Sequence, residues 1–385
     1  MTIYGTRPEA IKVAPIIKAI EQDSELENII VVTGQHREML DQVNTMFSIV
    51  PDHDLNIMAA GQSLNGIVSK VISGVDTILE EEKPDAVIVQ GDTSTVMGAA
   101  VASFNRQIPV LHLEAGLRSG DINSPFPEEA NRKLTSQIAA LHLAPTSTSK
   151  ANLTREDLSE NDIVVTGNSV IDTLLFATAN VEVTFDDPQL EELQQQVAAL
   201  GAGRILLVTA HRRENLGSAM EDIGNAVADL ARKYPDLTVV FPIHKNPKVR
   251  ASIRPAVEGL ENVLLIEPLP YAQFTRALSL AHVVLTDSGG VQEEAPSLGK
   301  PVLVMRENTE RPEAVVAGTV KLIGTHHQRL VDEVSMLLDS EEAYQGMATA
   351  VNPYGDGEAA RRTIEAIKWR FLSGPRPVDF KDHVD

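Results

Sequence analysis

The sequence contains no cysteine. That excludes a disulfide framework, a thiolate nucleophile and a cysteine-based zinc site. Positive charge is also scarce. Against 54 Asp and Glu stand only 33 Lys and Arg, for a formal net charge of −21 and a pI near 4.9. Such a chain repels nucleic acid and anionic membrane surfaces, so neither is expected as a partner. An anionic small molecule would need a local basic cluster set against that field. No apolar run is long enough to span a membrane and there is no signal peptide, which points to a soluble, cytoplasmic protein. H-E-x-x-H, the Walker A loop and G-x-G-x-x-G after a strand are all missing. Metal and dinucleotide chemistry therefore have little support, and no cofactor is expected.

What is present is a long alternation of short β-branched runs and helical patterns. The 385 residues exceed one ordinary core, so two domains are expected. Strands are predicted over 2–4, 29–33, 85–90, 108–113, 141–144 and 163–166. A second series covers 205–209, 238–242, 263–266, 283–286, 302–305 and 320–323. Strands alternating with helices imply parallel sheets, and two such series imply an α/β protein of two doubly wound, Rossmann-like domains with a cleft between them. The boundaries fall at 1–167, with a helix over 358–371 packing back, and at 168–357. Pro15 should kink the first helix. The first strand is short for a central position, as though it began upstream. Residues 181–203 are acidic and glutamine-rich, with a loop at 185–188. The tail from Ser373 reads as loose.

The chemistry gathers at strand ends. The run from Thr286 to Ala314 passes from a buried strand through Ser288-Gly289-Gly290 into a helix carrying Glu293 and Glu294, then through a second strand into a charged loop ending at Arg311. A strand, a glycine turn and a helix N-terminus make an anion site, and a nearby carboxylate can answer the dipole or reach a diol. Arg7 and Lys12 open the first helix, where two cations oppose the dipole unless an anion sits between them. Asp92 and Glu114 each follow a buried strand. Asp92 reads equally as a helix cap, whereas Glu is a poor one. Glu128 and Arg132 share a helix face, either as a surface ion pair or as site groups. His211-Arg212-Arg213 follows the first strand of the second series and His244 the next, and both suit phosphate. His112 lies inside a strand and reads as structural.

The blocks G-T-R-P-E-A-I-K, G-Q-H-R-E-M-L, Q-G-D-T-S-T, H-L-E-A-G-L-R-S-G, P-E-E-A-N-R, H-R-R-E-N, T-D-S-G-G-V-Q-E-E-A-P-S-L-G-K-P-V-L, T-E-R-P-E-A and N-P-Y-G-D-G run in collinear order from Gly5 to about Phe371. In them the chain resembles the bacterial non-hydrolysing UDP-N-acetylglucosamine 2-epimerases. The resemblance implies the glycosyltransferase-B-like architecture, a cytoplasmic homodimer and no NAD. It also implies reversible conversion of UDP-N-acetylglucosamine to UDP-N-acetylmannosamine, which supplies cell-envelope polysaccharide. Matched motif by motif, Arg7, His211, Phe274, Ser288, Gly289, Gly290, Glu294 and Arg311 would hold UDP. Phe274 reads equally as a core aromatic. Lys12, Asp92, Glu114, Glu128, Arg132 and His211 would form the catalytic set. Many members bind a second UDP-N-acetylglucosamine as an activator, at positions matching Gln35, His36, Glu38, Lys70, Arg212 and His244. Glu38 stands where some members carry Gln, and Lys70 where several carry Arg. A hydrolysing relative and a glycosyltransferase of the same architecture are the competing readings.

Overall fold

The computed structural model describes residues 1–34, 37–59, 61–200, 204–309 and 311–382, the side chains of residues 37–39, 200 and 213 excepted. Two compact units emerge. One comprises Met1–Thr173 and Tyr354–Asp382, the other Leu174–Pro353.

The first unit holds one parallel sheet of seven strands: β1 (Thr2–Tyr4), β2 (Ile30–Val32), β3 (His53–Asp54), β4 (Val87–Gln90), β5 (Val110–Leu113), β6 (Leu141–Ala144) and β7 (Ile163–Val165). Their spatial order is β3-β2-β1-β4-β5-β6-β7. The second unit holds six parallel strands: β8 (Arg204–Thr209), β9 (Leu237–Pro242), β10 (Val263–Ile266), β11 (Val283–Thr286), β12 (Val302–Val304) and β13 (Val320–Leu322). Their order is β10-β9-β8-β11-β12-β13. Both are doubly wound sheets whose order reverses at the first strand, between β1 and β4 and between β8 and β11. Every strand of the two predicted series is present. β3 is additional to them and has two residues, with no apolar run to mark it in the sequence. It pairs with β2 through Val31 opposite His53.

The central strands are short and buried on both faces, as a parallel sheet covered by helices requires. Ile3, Val31, Val87 and Val89 pack with the helices Leu64–Glu82 and Ser94–Asn105. Those two helices meet closely at Gly98, where a Cβ would lie 2.9 Å from Val71 Cγ1. In the second unit Leu206, Val208, Val239, Phe241, Val283 and Leu285 form the equivalent core.

The helix Arg7–Glu21 contains Pro15, and the glutamine-rich stretch is helical over Pro188–Leu200. One expectation needs correction. The tail past Ser373 is tied down rather than loose. Arg376 Nη2 donates to Ile163 O at 2.9 Å, Phe380 N to Val165 O at 2.7 Å, and Val165 N to Asp379 Oδ1 at 3.2 Å. β7 is an edge strand with unpaired backbone groups, and the tail satisfies them. The preceding helix, Ala359–Phe371, starts on the buried carboxylate of Asp172, which accepts from Ala360 N at 2.8 Å.

His112 and His142 face each other across β5 and β6 in the interior of the first sheet. His112 Nε2 lies 2.7 Å from Gly91 O, and the Nδ1 atoms of both rings are buried without a partner. Burial pushes each ring down to about 4. In the unfolded chain an imidazole titrates near 6.5. Between these values the unfolded state binds more protons, so stability falls as pH drops below about 6.5 and levels off near 4. At pH 5 each ring should cost the first unit about 2 kcal/mol. Urea midpoints at pH 7 and pH 5 test this. A His112→Gln/His142→Gln variant should lose clearly less between the two pH values, and an equal loss would clear the pair of responsibility.

Candidate active site

In the first unit the loops after β1 and β4 are tied together by one buried carboxylate, that of Glu9. Glu9 Oε2 accepts from Gly5 N at 2.9 Å and Thr6 N at 2.7 Å, while Oε1 accepts from Thr93 Oγ1 at 2.6 Å. The bond from Thr6 N is half of a capping box between Glu9 and Thr6. Burial pushes the Glu9 carboxyl up, against these hydrogen bonds. Glu9 thereby ties the loop that carries Arg7 to the loop that carries Asp92.

Asp92 does not cap the following helix. Thr93 does, accepting from Val96 N at 3.4 Å. The Asp92 carboxylate instead meets Arg132, whose Nη2 lies 2.7 Å and Nε 3.2 Å from Oδ2. Asn131 Nδ2 donates to Asp92 O at 2.8 Å. Arg132 Nη1 also donates to Glu129 Oε2 at 3.0 Å. The expected pairing of Arg132 with Glu128 is thus replaced by Glu129, because Arg132 turns inward toward the strand end. Glu128 is half-buried at the start of the helix Glu128–Ile138.

Glu114 follows β5 with φ of 61°, a left-handed backbone that costs a non-glycine residue about 1–3 kcal/mol. Its carboxylate is held from three sides. Lys12 Nζ forms an ion pair with Oε1, Gln90 Nε2 donates to Oε2 at 2.5 Å, and Asn168 Nδ2 approaches Oε1 at 3.4 Å. Asp92 and Glu114 therefore stand after adjacent strands, each against its own cation and each largely shielded. Arg7 is half-buried at the first position of its helix. Lys70 is exposed, with Nζ 3.3 Å from Gln62 Oε1. Gln35 and His36 lie outside the described residues, as does the side chain of Glu38.

In the second unit the site sits where the strand order reverses. Ser288 N donates to Thr286 Oγ1 at 2.9 Å, so that amide is already used. Gly289 and Gly290 open a short helix, Gly289–Glu294, and their N–H groups have no intrahelical acceptor. Arg311 lies over this turn. Its Nε donates to Glu293 Oε1 at 2.6 Å. A Cβ on Gly289 would come within 2.6 Å of Arg311 Nη1, so only glycine admits the guanidinium there. Glu294 Oε1 accepts from Tyr271 Oη at 3.2 Å. Phe274 is half-buried one turn further along the same helix, Tyr271–Leu280.

His211 follows β8. Its Nδ1 lies 3.0 Å from the fully buried carboxylate of Asp287, the residue between β11 and Ser288. The His211 and His244 rings have centroids 6.2 Å apart. His244 Nδ1 accepts from Asn246 N at 3.1 Å. Arg212 Nε donates to the Asp287 carbonyl at 3.2 Å. Asp287, Tyr271, Glu9 and Gln90 were not anticipated. Asp287 could have been, since it meets the criterion that singled out Asp92 and Glu114, an acid directly after a buried strand. Glu9 carries the T-x-x-E spacing of a capping box with Thr6, whereas Tyr271 and Gln90 are recognisable only by what they touch.

Each unit therefore presents a set of charged groups at the carboxyl ends of its central strands, where open α/β sheets bind ligands. The first offers carboxylates held by cations. The second offers a glycine turn, an arginine, a histidine and a carboxylate, which suits phosphates and a diol. Comparison with known proteins gives the same direction. The model of the family described as UDP-N-acetylglucosamine 2-epimerase matches residues 18–368. The UDP-N-acetylglucosamine 2-epimerase of Escherichia coli K12 is 51% identical over 369 residues, covering 96% of this chain and 98% of its own. That of Salmonella typhimurium is 52% identical over 369 residues, with the same coverage. Among solved structures, the Neisseria meningitidis UDP-GlcNAc 2-epimerase bound to UDP-GlcNAc superposes with a TM-score of 0.82 at 46% identity, covering 95% of this chain and 98% of that one. Staphylococcus aureus MnaA, solved with UDP, gives 0.83 at 46% identity, with 99% of each chain covered.

Removing one charge-assisted hydrogen bond costs roughly 1.5–3 kcal/mol, or about 10- to 100-fold in affinity. Calorimetric titration with UDP should show losses of that size for Arg311→Ala and Glu294→Ala, with the fold intact by circular dichroism. Gly289→Ala should weaken UDP through Arg311 alone, because the new methyl displaces the guanidinium. Wild-type affinity in all three variants would remove this turn as the nucleotide site.

Proposed function

The chain belongs to the UDP-N-acetylglucosamine 2-epimerase family, and on that premise we propose that it interconverts UDP-N-acetylglucosamine and UDP-N-acetylmannosamine by loss and re-addition of UDP. The observation that carries the reading is the pair of strand-end carboxylates, Asp92 and Glu114, each held by its own cation. Carboxylates so held suit proton transfer at a sugar carbon, a role a nucleotide-binding protein without chemistry would not require.

The C2 proton is not beside a carbonyl, so its direct removal would leave an unstabilised carbanion. In the feasible route the C1–O bond to UDP breaks as the C2 proton passes to a carboxylate. UDP and 2-acetamidoglucal result. A proton then adds to C2 from the opposite face while UDP re-forms the bond to C1. Negative charge develops on the departing diphosphate, and Arg7, His211, Arg311 and the Gly289 and Gly290 amides are the groups suited to take it. Glu294 suits the ribose hydroxyls and Phe274 the uracil. Lys12 and Arg132 orient Glu114 and Asp92, and Glu128 completes the carboxylate set.

The finer reading is of a non-hydrolysing, cytoplasmic homodimer that supplies activated N-acetylmannosamine to cell-envelope polysaccharide. Lys70, Arg212 and His244, with Gln35, His36 and Glu38, would belong to an activator site for a second UDP-N-acetylglucosamine.

Incubation of the protein with UDP-N-acetylglucosamine in deuterated water, followed by proton NMR, tests the function. UDP-N-acetylmannosamine should appear with deuterium at C2 of both sugars, and slow leakage should yield free UDP and the glucal. Accumulation of UDP with free N-acetylmannosamine would instead mark a hydrolysing enzyme. Epimerisation without label at C2 would rule the elimination out. Asp92→Asn and Glu114→Gln should each reduce turnover by at least about 10²-fold, the scale of a lost acid–base group.

A further inference from the structure

Asp287 is buried completely at the end of β11, yet it carries a carboxylate. Oδ2 accepts three hydrogen bonds: from His211 N at 2.9 Å, Arg212 N at 2.9 Å and Asn215 Nδ2 at 3.0 Å. Oδ1 lies 3.1 Å from His211 N and 3.0 Å from His211 Nδ1. The two strands joined this way, β8 and β11, are neighbours at the point where the strand order reverses. Burial alone would push the Asp287 carboxyl up. The His211 ring and the amides of residues 211 and 212 outweigh it and hold the group below the ordinary carboxylate value.

An ionised carboxylate can only accept, so the proton in the short contact belongs to His211 Nδ1. The other ring nitrogen, Nε2, is then the one left for a ligand, on a ring that is 44% exposed. We propose that Asp287 is a positioning residue for His211, holding the ring with its proton on Nδ1 so that any second proton must add at Nε2, where the charged ring meets the departing diphosphate. The proposal rests on the epimerase reading above for the identity of the diphosphate. Asp287 itself touches no substrate. It fixes which face of the imidazole works, and it stabilises the positive ring through the same bond that orients it.

The pattern of acceptors makes the test specific. In Asp287→Asn three donors still converge where Oδ2 stood, so the amide oxygen must remain there. The amide nitrogen then replaces Oδ1 and faces His211 Nδ1 as a donor. The neutral ring must move its proton to Nε2. Long-range proton–nitrogen correlation spectra of the full chain labelled with [15N]histidine read the tautomer directly, with His211 assigned by its loss in His211→Gln. Spectra taken at about pH 8, where an ordinary imidazole is neutral, should show Nδ1–H in the wild type and Nε2–H in Asp287→Asn. Turnover of UDP-N-acetylglucosamine should fall at least about 10²-fold in the variant, with KM changed only a few-fold. A wild-type ring with its proton on Nε2 would overturn the proposal even if the variant failed to fold. So would an unchanged tautomer in Asp287→Asn, or a switched tautomer with full turnover. The spectra judge Asp287 independently of the reaction. A wild type with Nδ1–H that left UDP-N-acetylglucosamine untouched would defeat the functional reading instead.

Discussion

A parallel sheet whose strand order reverses at its first strand must send the loops on either side of the reversal in opposite directions, and everything functional here depends on that constraint. It operates twice. Between β1 and β4 the loops carry Arg7 and Asp92; between β8 and β11 they carry His211 and Ser288. Side chains that would be far apart on an extended chain, such as His211 and Asp287 at 76 residues' separation, become hydrogen-bonded neighbours. The strands need little beyond β-branched apolar residues to build this, because both faces are covered.

The diverging loops leave backbone groups without partners, and buried carboxylates answer them. Glu9 accepts from two amides and a threonine in the first unit, and Asp287 from two amides and an asparagine in the second. Both are acids placed where burial disfavours charge, and both are surrounded by donors rather than matched to a single arginine. Removing such an acid would strand several donors at once. The exposed site groups are mounted on these interior carboxylates. Glu114 follows another route to rigidity, with a left-handed backbone and contacts to Lys12, Gln90 and Asn168. Strain of that kind persists only where surrounding contacts over-determine it.

Charge distribution follows the same division. The chain is strongly acidic overall, yet Arg7, Lys12, Arg132, Arg212 and Arg311 all stand at loops following central strands or on the helices those loops begin. Lys12, Arg132 and Arg311 are each matched there by a carboxylate, Glu114, Asp92 and Glu293 respectively.

The amino-acid sequence by itself determined the strands, the two series of alternation and the family, because a buried parallel strand is written in consecutive residues and the motifs lie in contiguous blocks. It also marked Asp92, Glu114, His211 and Gly289, since each stands next to a strand end or in a glycine turn, and Arg311 at the end of a charged loop. Pairing was decided only by the tertiary structure. Local spacing suggested Glu128 for Arg132, but the arginine turns to Asp92, 40 residues away, and to Glu129. Local spacing offered Asp92 as a cap, but Thr93 holds that place. Composition suggested a loose tail, but β7 presents an open edge for it to satisfy. The Thr6-to-Glu9 spacing and the strand before Asp287 mark each acid locally, but not the partners on other loops that their carboxylates reach. A hydrogen bond joins atoms close in space, and between strands of a doubly wound sheet that closeness is set by strand order, not by position along the chain.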